Sequence, residues 1–258
     1  PPAMKRSIII LTAFALFFIV WYFNFGVRPF QSLAASSQTA HYLINYAIAG
    51  LIPMAALFLL HKPHEIIASM GVSRRFGTGI IFGIVTTLPM LIGYACIGTL
   101  DHEVTVDHLL TRVLIAGFFE ELFFRGFIFG QLFRYTHWGF LPAALLTALL
   151  FGSLHLYQGH DFESALGAFD TTAAGSIFFS WIYVEWNYNL WCAIWLHTLM
   201  NLPWILFNVS TNGAVGGTGA NILRFGTIFL AIGLTIAYKK RQGLPYLINL
   251  KSLTINHV

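Results

Sequence analysis

Apolar residues occur in long runs along this chain, and polar residues are confined mainly to the short connections between the runs. A helix that spans a membrane needs roughly 20 mostly apolar residues. By that length the chain contains eight candidate spans, and the connections leave no room for a soluble domain. The pattern therefore predicts an all-α polytopic membrane protein of about eight transmembrane helices. The runs cover approximately residues 7–25, 42–60, 77–99, 110–133, 139–157, 165–184, 189–207 and 220–238.

We expect residues 4–258 to form one integral membrane domain. The first three residues, Pro1, Pro2 and Ala3, precede Met4 and are expected to be a remnant of expression. The first apolar run has no small-residue cleavage site, so we expect a retained helix rather than a signal peptide.

Composition supports the membrane assignment. Of the 258 residues, 57% are hydrophobic and only 9% are charged, whereas soluble domains carry about 25% charged residues. An ordinary soluble protein and a disordered chain are therefore excluded. The two cysteines, Cys96 and Cys192, are too few for a disulfide framework or a four-cysteine zinc site. The net charge of +4 arises from residues at the ends of the apolar runs, so we expect a lipid bilayer as partner and no nucleic acid.

The positions of Lys and Arg predict the orientation in the membrane, because cytoplasmic loops carry an excess of both. Placing the N-terminus inside puts ten of the fourteen on the cytoplasmic side, three on the other side and Arg125 within the membrane. Both termini are then cytoplasmic, which requires an even number of spans. The ten are Lys5, Arg6, Lys62, Arg74, Arg75, Arg134, Lys239, Lys240, Arg241 and Lys251.

The fourth run contains three charges, Glu120, Glu121 and Arg125, near its middle. Each costs about 2.5–3.5 kcal/mol at the bilayer centre, and a typical domain is stable by only about 5–15 kcal/mol. Partners must therefore exist inside the bundle. Glu121 and Arg125 are spaced i,i+4 and can pair on one helix face. A buried ion pair that fixes helix packing would explain those two residues, but Glu120 is rotated about 100° away and needs another partner.

Further polar residues lie in the fifth and seventh runs. His155 ends the fifth run, and His197 and Asn201 are spaced i,i+4 in the seventh. Either histidine alone would be explained as a packing residue. Together with the charges of the fourth run, however, these groups avoid the acyl chains only by converging on one polar cavity. The sequence therefore predicts such a cavity within the bundle.

A carboxylate beside an imidazole can hold and deprotonate a water molecule. Glu121, paired with Arg125, should stay ionised, and Glu120, which lacks an adjacent cation, is the better base. His197 and Asn201 offer N–H donors of the kind that stabilise an oxyanion. No nucleophile motif is present, so direct attack by activated water is the simplest chemistry.

Three motifs, Glu120-Glu121-x-x-x-Arg125, Phe151-x-x-x-His155 and His197-x-x-x-Asn201, resemble those of the CAAX prenyl endopeptidase and bacteriocin-processing family of intramembrane glutamic proteases. They occur in the family's order within a core of about residues 110–207. The resemblance implies a metal-independent peptidase without a cofactor, acting on a peptide or lipidated peptide. It implies that Glu120 and His155 activate water, that His197 and Asn201 stabilise the oxyanion, and that Glu121 and Arg125 support the site.

Two other functions remain open from the residues. A zinc-dependent membrane hydrolase could use His155, His197 and a glutamate as three ligands, although no H-E-x-x-H motif is present. A transporter or scaffold without catalysis could use buried Glu, Arg and His in a proton relay. Asp170 could line the cavity, but we expect it close to the membrane interface.

Overall fold

The computed structural model of this protein describes residues 2–209 and 215–256. Within those ranges every regular element is helical, apart from two isolated antiparallel bridges, Leu100–Phe207 and Trp138–Ile255. The long helices are α1 (Ala3–Tyr22), α2 (Gln38–Leu60), α3 (Phe76–Ile97), α4 (helical throughout 106–135), α5 (Phe140–Ser153), α6 (Phe162–Glu185), α7 (Leu190–Leu206) and α8 (Thr218–Gln242). Short helical segments cover Arg28–Phe30, Gln31–Ala34, Pro63–Glu65, Ile66–Ser69, Leu156–Gln158 and Leu250–Leu253.

Each of the eight apolar runs coincides with one of these long helices, which confirms a helical membrane protein. Among the described residues, however, only five helical stretches are long and apolar enough to cross a membrane. They are Ala3–Tyr22, Gln38–Leu60, Phe76–Ile97, Phe140–Gln158 and Thr218–Gln242. Helix α7 has 17 residues, and α4 and α6 carry charged groups along their length. The count of eight spans and the cytoplasmic placement of the termini stay predictions.

Helix starts follow local capping chemistry. The Ser37 hydroxyl accepts a hydrogen bond from the Ala40 amide at the start of α2. Asp161 and Ser164 form a reciprocal capping box at the start of α6, in which each side chain accepts from the other's backbone N–H. These bonds satisfy amides that have no partner within the helix. The hydrogen bonds from Ser164 lower the pKa of Asp161 below its ordinary value.

Helix α4 is the centre of the bundle and contacts α1, α2, α5, α6 and α7. Its sequence is apolar on nearly all sides, as expected for a helix surrounded by others. Two of its segments, Leu110–Ile115 and Leu122–Phe129, are π-helical, and the α-helical segment Ala116–Glu121 lies between them. Wider π turns often occur at functional sites. The two adjacent glutamates are therefore at the end of an ordinary helical turn with a π segment on either side.

Glycines allow the helices around α4 to approach closely. On α3, a Cβ at Gly79 would lie 2.5 Å from the Trp191 carbonyl carbon on α7. On α4, a Cβ at Gly117 would overlap the Thr198 hydroxyl of α7 and lie 3.0 Å from the Thr198 Cα. Small residues at such contacts let membrane helices pack backbone to backbone. Gly117 thereby brings α4 and α7 together one turn before Glu121.

The C-terminal segment is held against the bundle by a buried ion pair. Glu185, at the end of α6, pairs with Lys239 of α8. The Glu185 carboxylate also accepts hydrogen bonds from the backbone amides of Leu247 and Ile248. A buried carboxylate needs several such donors to offset its lost hydration. These contacts hold the chain after α8 against the end of α6.

Candidate active site

The structure places four of the six predicted site residues around one cavity of about 690 Å³. Glu120 reaches it from α4, His155 from the end of α5, and His197 and Asn201 from α7. Helices α6 and α8 complete its walls. Residues separated by up to 81 positions in the chain (Glu120 and Asn201) are thus brought to one cavity between the helices.

Behind this cavity lies a fully buried ion pair. Arg125 Nη1 donates to Glu121 Oε1 at 3.1 Å, and both side chains are 0% exposed. The structure thus contains the ion pair that the i,i+4 spacing predicted. The same Glu121 oxygen lies 2.7 Å from His197 Nδ1. Glu121 therefore joins α4 to α7 through a single carboxylate oxygen that contacts two nitrogen donors.

Two aromatic rings enclose the Arg125 guanidinium. Its central carbon lies 4.7 Å from the Phe151 ring centre and 5.5 Å from that of Phe179. Within the described part of the chain, its Nε and Nη2 have no hydrogen-bond partner. Aromatic faces attract cations, by about 2 kcal/mol when the cation is desolvated. The charge of Arg125 is thus balanced by one carboxylate and two rings.

His197 lies between the two glutamates. Its Nδ1 contacts Glu121, and its Nε2 lies 3.9 Å from Glu120 Oε2. Its ring stacks on Phe179, with ring centres 5.1 Å apart. The Glu120 side chain is 22% exposed, whereas that of Glu121 is fully buried. Adjacent carboxylates therefore differ in environment: one faces the cavity, and the other is enclosed by protein.

His155 is oriented by its own helix. Its Nδ1 lies 2.7 Å from the carbonyl oxygen of Phe151, one turn earlier. Because a carbonyl only accepts, Nδ1 carries the hydrogen, and Nε2 of the neutral ring is left as an acceptor. The ring also contacts that of Phe151, with centres 4.6 Å apart. Phe151 thus supports both His155 and Arg125.

Asn201 is held by α4 rather than by its i,i+4 neighbour. Its amide nitrogen donates to the backbone carbonyl of Arg112 at 3.2 Å. Arg112 precedes Glu120 by two turns on the same helix, so the bond anchors α7 to α4 at the cavity wall. One amide hydrogen of Asn201 is used in this contact, which leaves the second for another acceptor.

A second cavity, of about 330 Å³, shares the catalytic candidates with the first. Glu120 and His155 line both spaces, together with Arg112 and Tyr157. Aromatic side chains of α1, α2 and α4 form most of its wall, including Phe17, Trp21, Tyr46 and Phe119. The two candidate water-activating residues therefore lie where an aromatic cavity adjoins the larger one.

The structure adds cavity residues that the sequence did not single out as members of the site. Asp170 of α6 lines the larger cavity, and its expected position close to the membrane interface stays a prediction. Tyr157 and Gln158, in the turn after His155, line it as well. Asp170 is the one carboxylate within the apolar run 165–184, and that isolation is the signal that could have identified it. Among the described residues, no group of three or more His, Cys, Asp or Glu side chains is arranged to hold a metal ion.

Fold and cavity together define a class: a helical membrane protein with carboxylates, imidazoles and an amide around an internal cavity. Carboxylates and imidazoles are the groups with which hydrolases activate water. Residues 103–203 match the model of the family described as Rce1-like, type II CAAX prenyl endopeptidase Rce1-like. This match confirms the resemblance carried by the three motifs, all of which lie within the matched segment. It supports a CAAX-type intramembrane protease in general, with a peptide substrate and a lipid environment. Comparison with curated proteins and with solved structures gave no match.

Proposed function

We propose that this protein is a metal-independent, glutamic-type intramembrane endopeptidase. The observation that carries the proposal is the shared cavity of Glu120, His155, His197 and Asn201. The buried Glu121–Arg125 pair behind it supports the same assignment, because a buried pair that also contacts His197 fixes the position of a cavity residue. We propose a peptide or lipidated peptide as substrate.

In the proposed reaction a water molecule lies between Glu120 and His155. The Glu120 carboxylate accepts a proton from the water, and His155 Nε2 accepts a hydrogen bond from its other hydrogen. The free Nε2 of His155 follows from the contact of Nδ1 with the Phe151 carbonyl. The hydroxide oxygen forms a bond to the carbonyl carbon of the peptide, and the carbonyl oxygen becomes an oxyanion.

His197 and Asn201 are the proposed oxyanion donors. Asn201 has a second amide hydrogen beside the one that it gives to Arg112. His197 donates from Nε2 only when both ring nitrogens carry hydrogen, because Nδ1 already faces Glu121. In that form two carboxylates, Glu120 and Glu121, face two cations, Arg125 and His197. Preorganised donors of this kind are worth roughly 10²–10³ in kcat each.

The second step breaks the peptide bond. The oxyanion returns its electron pair to form the carbonyl of the new carboxyl group, and the C–N bond breaks. Glu120 delivers the proton that it took from water to the departing nitrogen, which leaves as an amine. Glu120 is thus base and then acid, and the enzyme returns to its starting protonation state.

Peptide cleavage by the purified protein tests the proposal. We expect Glu120→Gln and His155→Ala each to lower kcat by roughly 10²–10⁴, the usual contribution of a general base. Matched controls are Glu163→Gln and His160→Ala, exposed residues outside the cavity, which should retain the wild-type rate. Melting temperatures of all four variants show whether each is folded. Undiminished cleavage by both site variants would refute the assignment.

The zinc alternative rests on two histidines that line the same cavity as a glutamate, although among the described residues no three such side chains are arranged to hold a metal ion. Elemental analysis before and after chelation distinguishes it from the proposal. Stoichiometric zinc whose removal abolishes cleavage would favour the zinc hydrolase. Proton-coupled flux in liposomes without any peptide cleavage would instead favour the transporter.

A further inference from the structure

A cavity of about 600 Å³ lies apart from the catalytic one, where α1 begins and where α2 and α4 end. The connection from α2 to α3 forms its remaining wall. Of the side chains that the structure describes, four basic ones and one carboxylate, Glu65, line it. The four are Arg6, Lys62, Arg74 and Arg134.

The one carboxylate is engaged in local contacts. Glu65 accepts a hydrogen bond from the Lys62 backbone amide at 3.2 Å and lies 3.8 Å from His64 Nε2. Among the described lining side chains, basic groups therefore outnumber carboxylates. Burial lowers the pKa of His61 below its ordinary value, and the positive charges of Arg6 and Arg134 lower it further, against opposing contributions from Gln131 and Glu65.

Arg134, which lines this cavity, is held by several contacts. Arg134 Nη1 donates to the Ser69 carbonyl at 2.6 Å and to the Tyr183 hydroxyl at 3.1 Å. Its guanidinium also lies over the Tyr188 ring, 4.4 Å from the ring centre. A cation held in this way loses little conformational freedom when it binds an anion.

We propose that this cavity binds the phosphate group of an anionic membrane lipid. Guanidinium groups match the geometry of phosphate oxygens, and basic pockets between membrane helices at the cytoplasmic side bind anionic headgroups. A lipid is favoured over a soluble anion because two candidate spans, α1 and α2, form the walls. Leu59, which lines the cavity, is 70% exposed and offers an apolar surface for the acyl chains.

The binding site is independent of the proposed peptidase activity, so it is tested by binding alone. The probes are phosphatidylglycerol, zwitterionic phosphatidylcholine and inorganic phosphate, each added to the full-length protein in detergent. Native mass spectrometry counts retained lipids, and the melting temperature reports stabilisation by each probe.

The test variant is Lys62→Gln with Arg74→Gln, because both side chains are exposed and line the cavity. Its matched control is Arg75→Gln with Lys240→Gln, which removes the same charge from exposed positions outside the cavity on the same predicted side. From the usual contribution of surface Lys and Arg, the test variant should bind phosphatidylglycerol roughly 10- to 30-fold more weakly. The control should bind within about threefold of wild type.

Selective retention of phosphatidylglycerol by wild type and control, and its loss in the test variant, would support the lipid site. Equal stabilisation by inorganic phosphate would support a phosphate site whose ligand is soluble. Equal binding of phosphatidylcholine, or equal weakening in the test and control variants, would overturn the proposal, since general surface charge would then explain the attraction. If the wild-type protein shows no preference among the three probes, that result alone would overturn the proposed lipid site.

Discussion

The ion pair between Glu121 and Arg125 can be removed from either side, and the two removals should not cost the same. Both side chains are fully buried, with Nη1 and Oε1 3.1 Å apart. Arg125→Met leaves a carboxylate that still contacts His197 Nδ1 at 2.7 Å. Glu121→Gln leaves a buried guanidinium that faces an uncharged amide and the rings of Phe151 and Phe179.

Breaking a buried ion pair costs about 3–5 kcal/mol because it leaves an uncompensated charge. Arg125→Met should fall at the lower end, since His197 remains as partner and a thioether packs well against aromatic rings. Glu121→Gln should fall at the upper end. At about 2–4 °C per kcal/mol for a chain of this size, the melting temperature should drop by roughly 6–20 °C. The double variant removes both charges and should cost less than the sum of the two.

Thermal unfolding of the purified protein in detergent, followed by tryptophan fluorescence, measures all three variants. Glu163→Gln, which removes an exposed carboxylate at the start of α6, is the control and should unfold at the wild-type temperature. Single variants within about 1 kcal/mol of wild type, below the usual cost of a broken buried pair, would refute this reasoning. A double variant whose loss equals the sum of the single losses would refute it as well, because the two charges would then not interact.

Four further predictions follow from the described contacts. Asn201→Ala should lower kcat for peptide cleavage roughly 10²–10³-fold with a smaller change in KM; an unchanged kcat would remove Asn201 from the oxyanion site. Gly117→Ala should separate α4 from α7 and lower both the melting temperature and the cleavage rate, whereas Gly233→Ala on α8, where a Cβ meets no neighbour and which lies outside the cavity, should lower neither. The lowered pKa of Asp161 stabilises the fold above the ordinary Asp pKa of about 4, and that stability is lost as the pH falls through the lower folded value. Melting temperatures of wild type and Asp161→Asn should therefore converge below that pH, and a constant difference would contradict the capping contribution. In a background without Cys96 and Cys192, Lys240→Cys should react with an impermeant thiol reagent only after the membrane is opened; reaction in intact cells would reverse the predicted orientation.

Local features of the sequence predicted a substantial part of the site. The spacing of Glu121 and Arg125 predicted their pairing, because residues four apart share a helix face. The cost of placing charges in lipid predicted that Glu120, His155 and His197 approach one another, and the structure places all three on one cavity. By contrast, Asn201 contacts the Arg112 carbonyl, a bond to a backbone atom on another helix that no side-chain motif encodes.

The apolar runs alone determined that this is a helical membrane protein, because a chain with so few charges cannot cover itself in water, and a helix satisfies its own backbone in lipid. They did not determine how many of the helices span the membrane, or where α4 forms π turns. In a mostly apolar run, no polar face shows how the helix is rotated about its axis. Only the tertiary structure decided that Glu121 meets His197, 76 positions away, that Phe151 and Phe179 enclose Arg125, and that Asp170 faces the cavity. Such contacts depend on how whole helices are rotated and how closely they approach one another. Close contacts between helices, such as that of Gly117 with Thr198, set this arrangement, and no single run of residues encodes it.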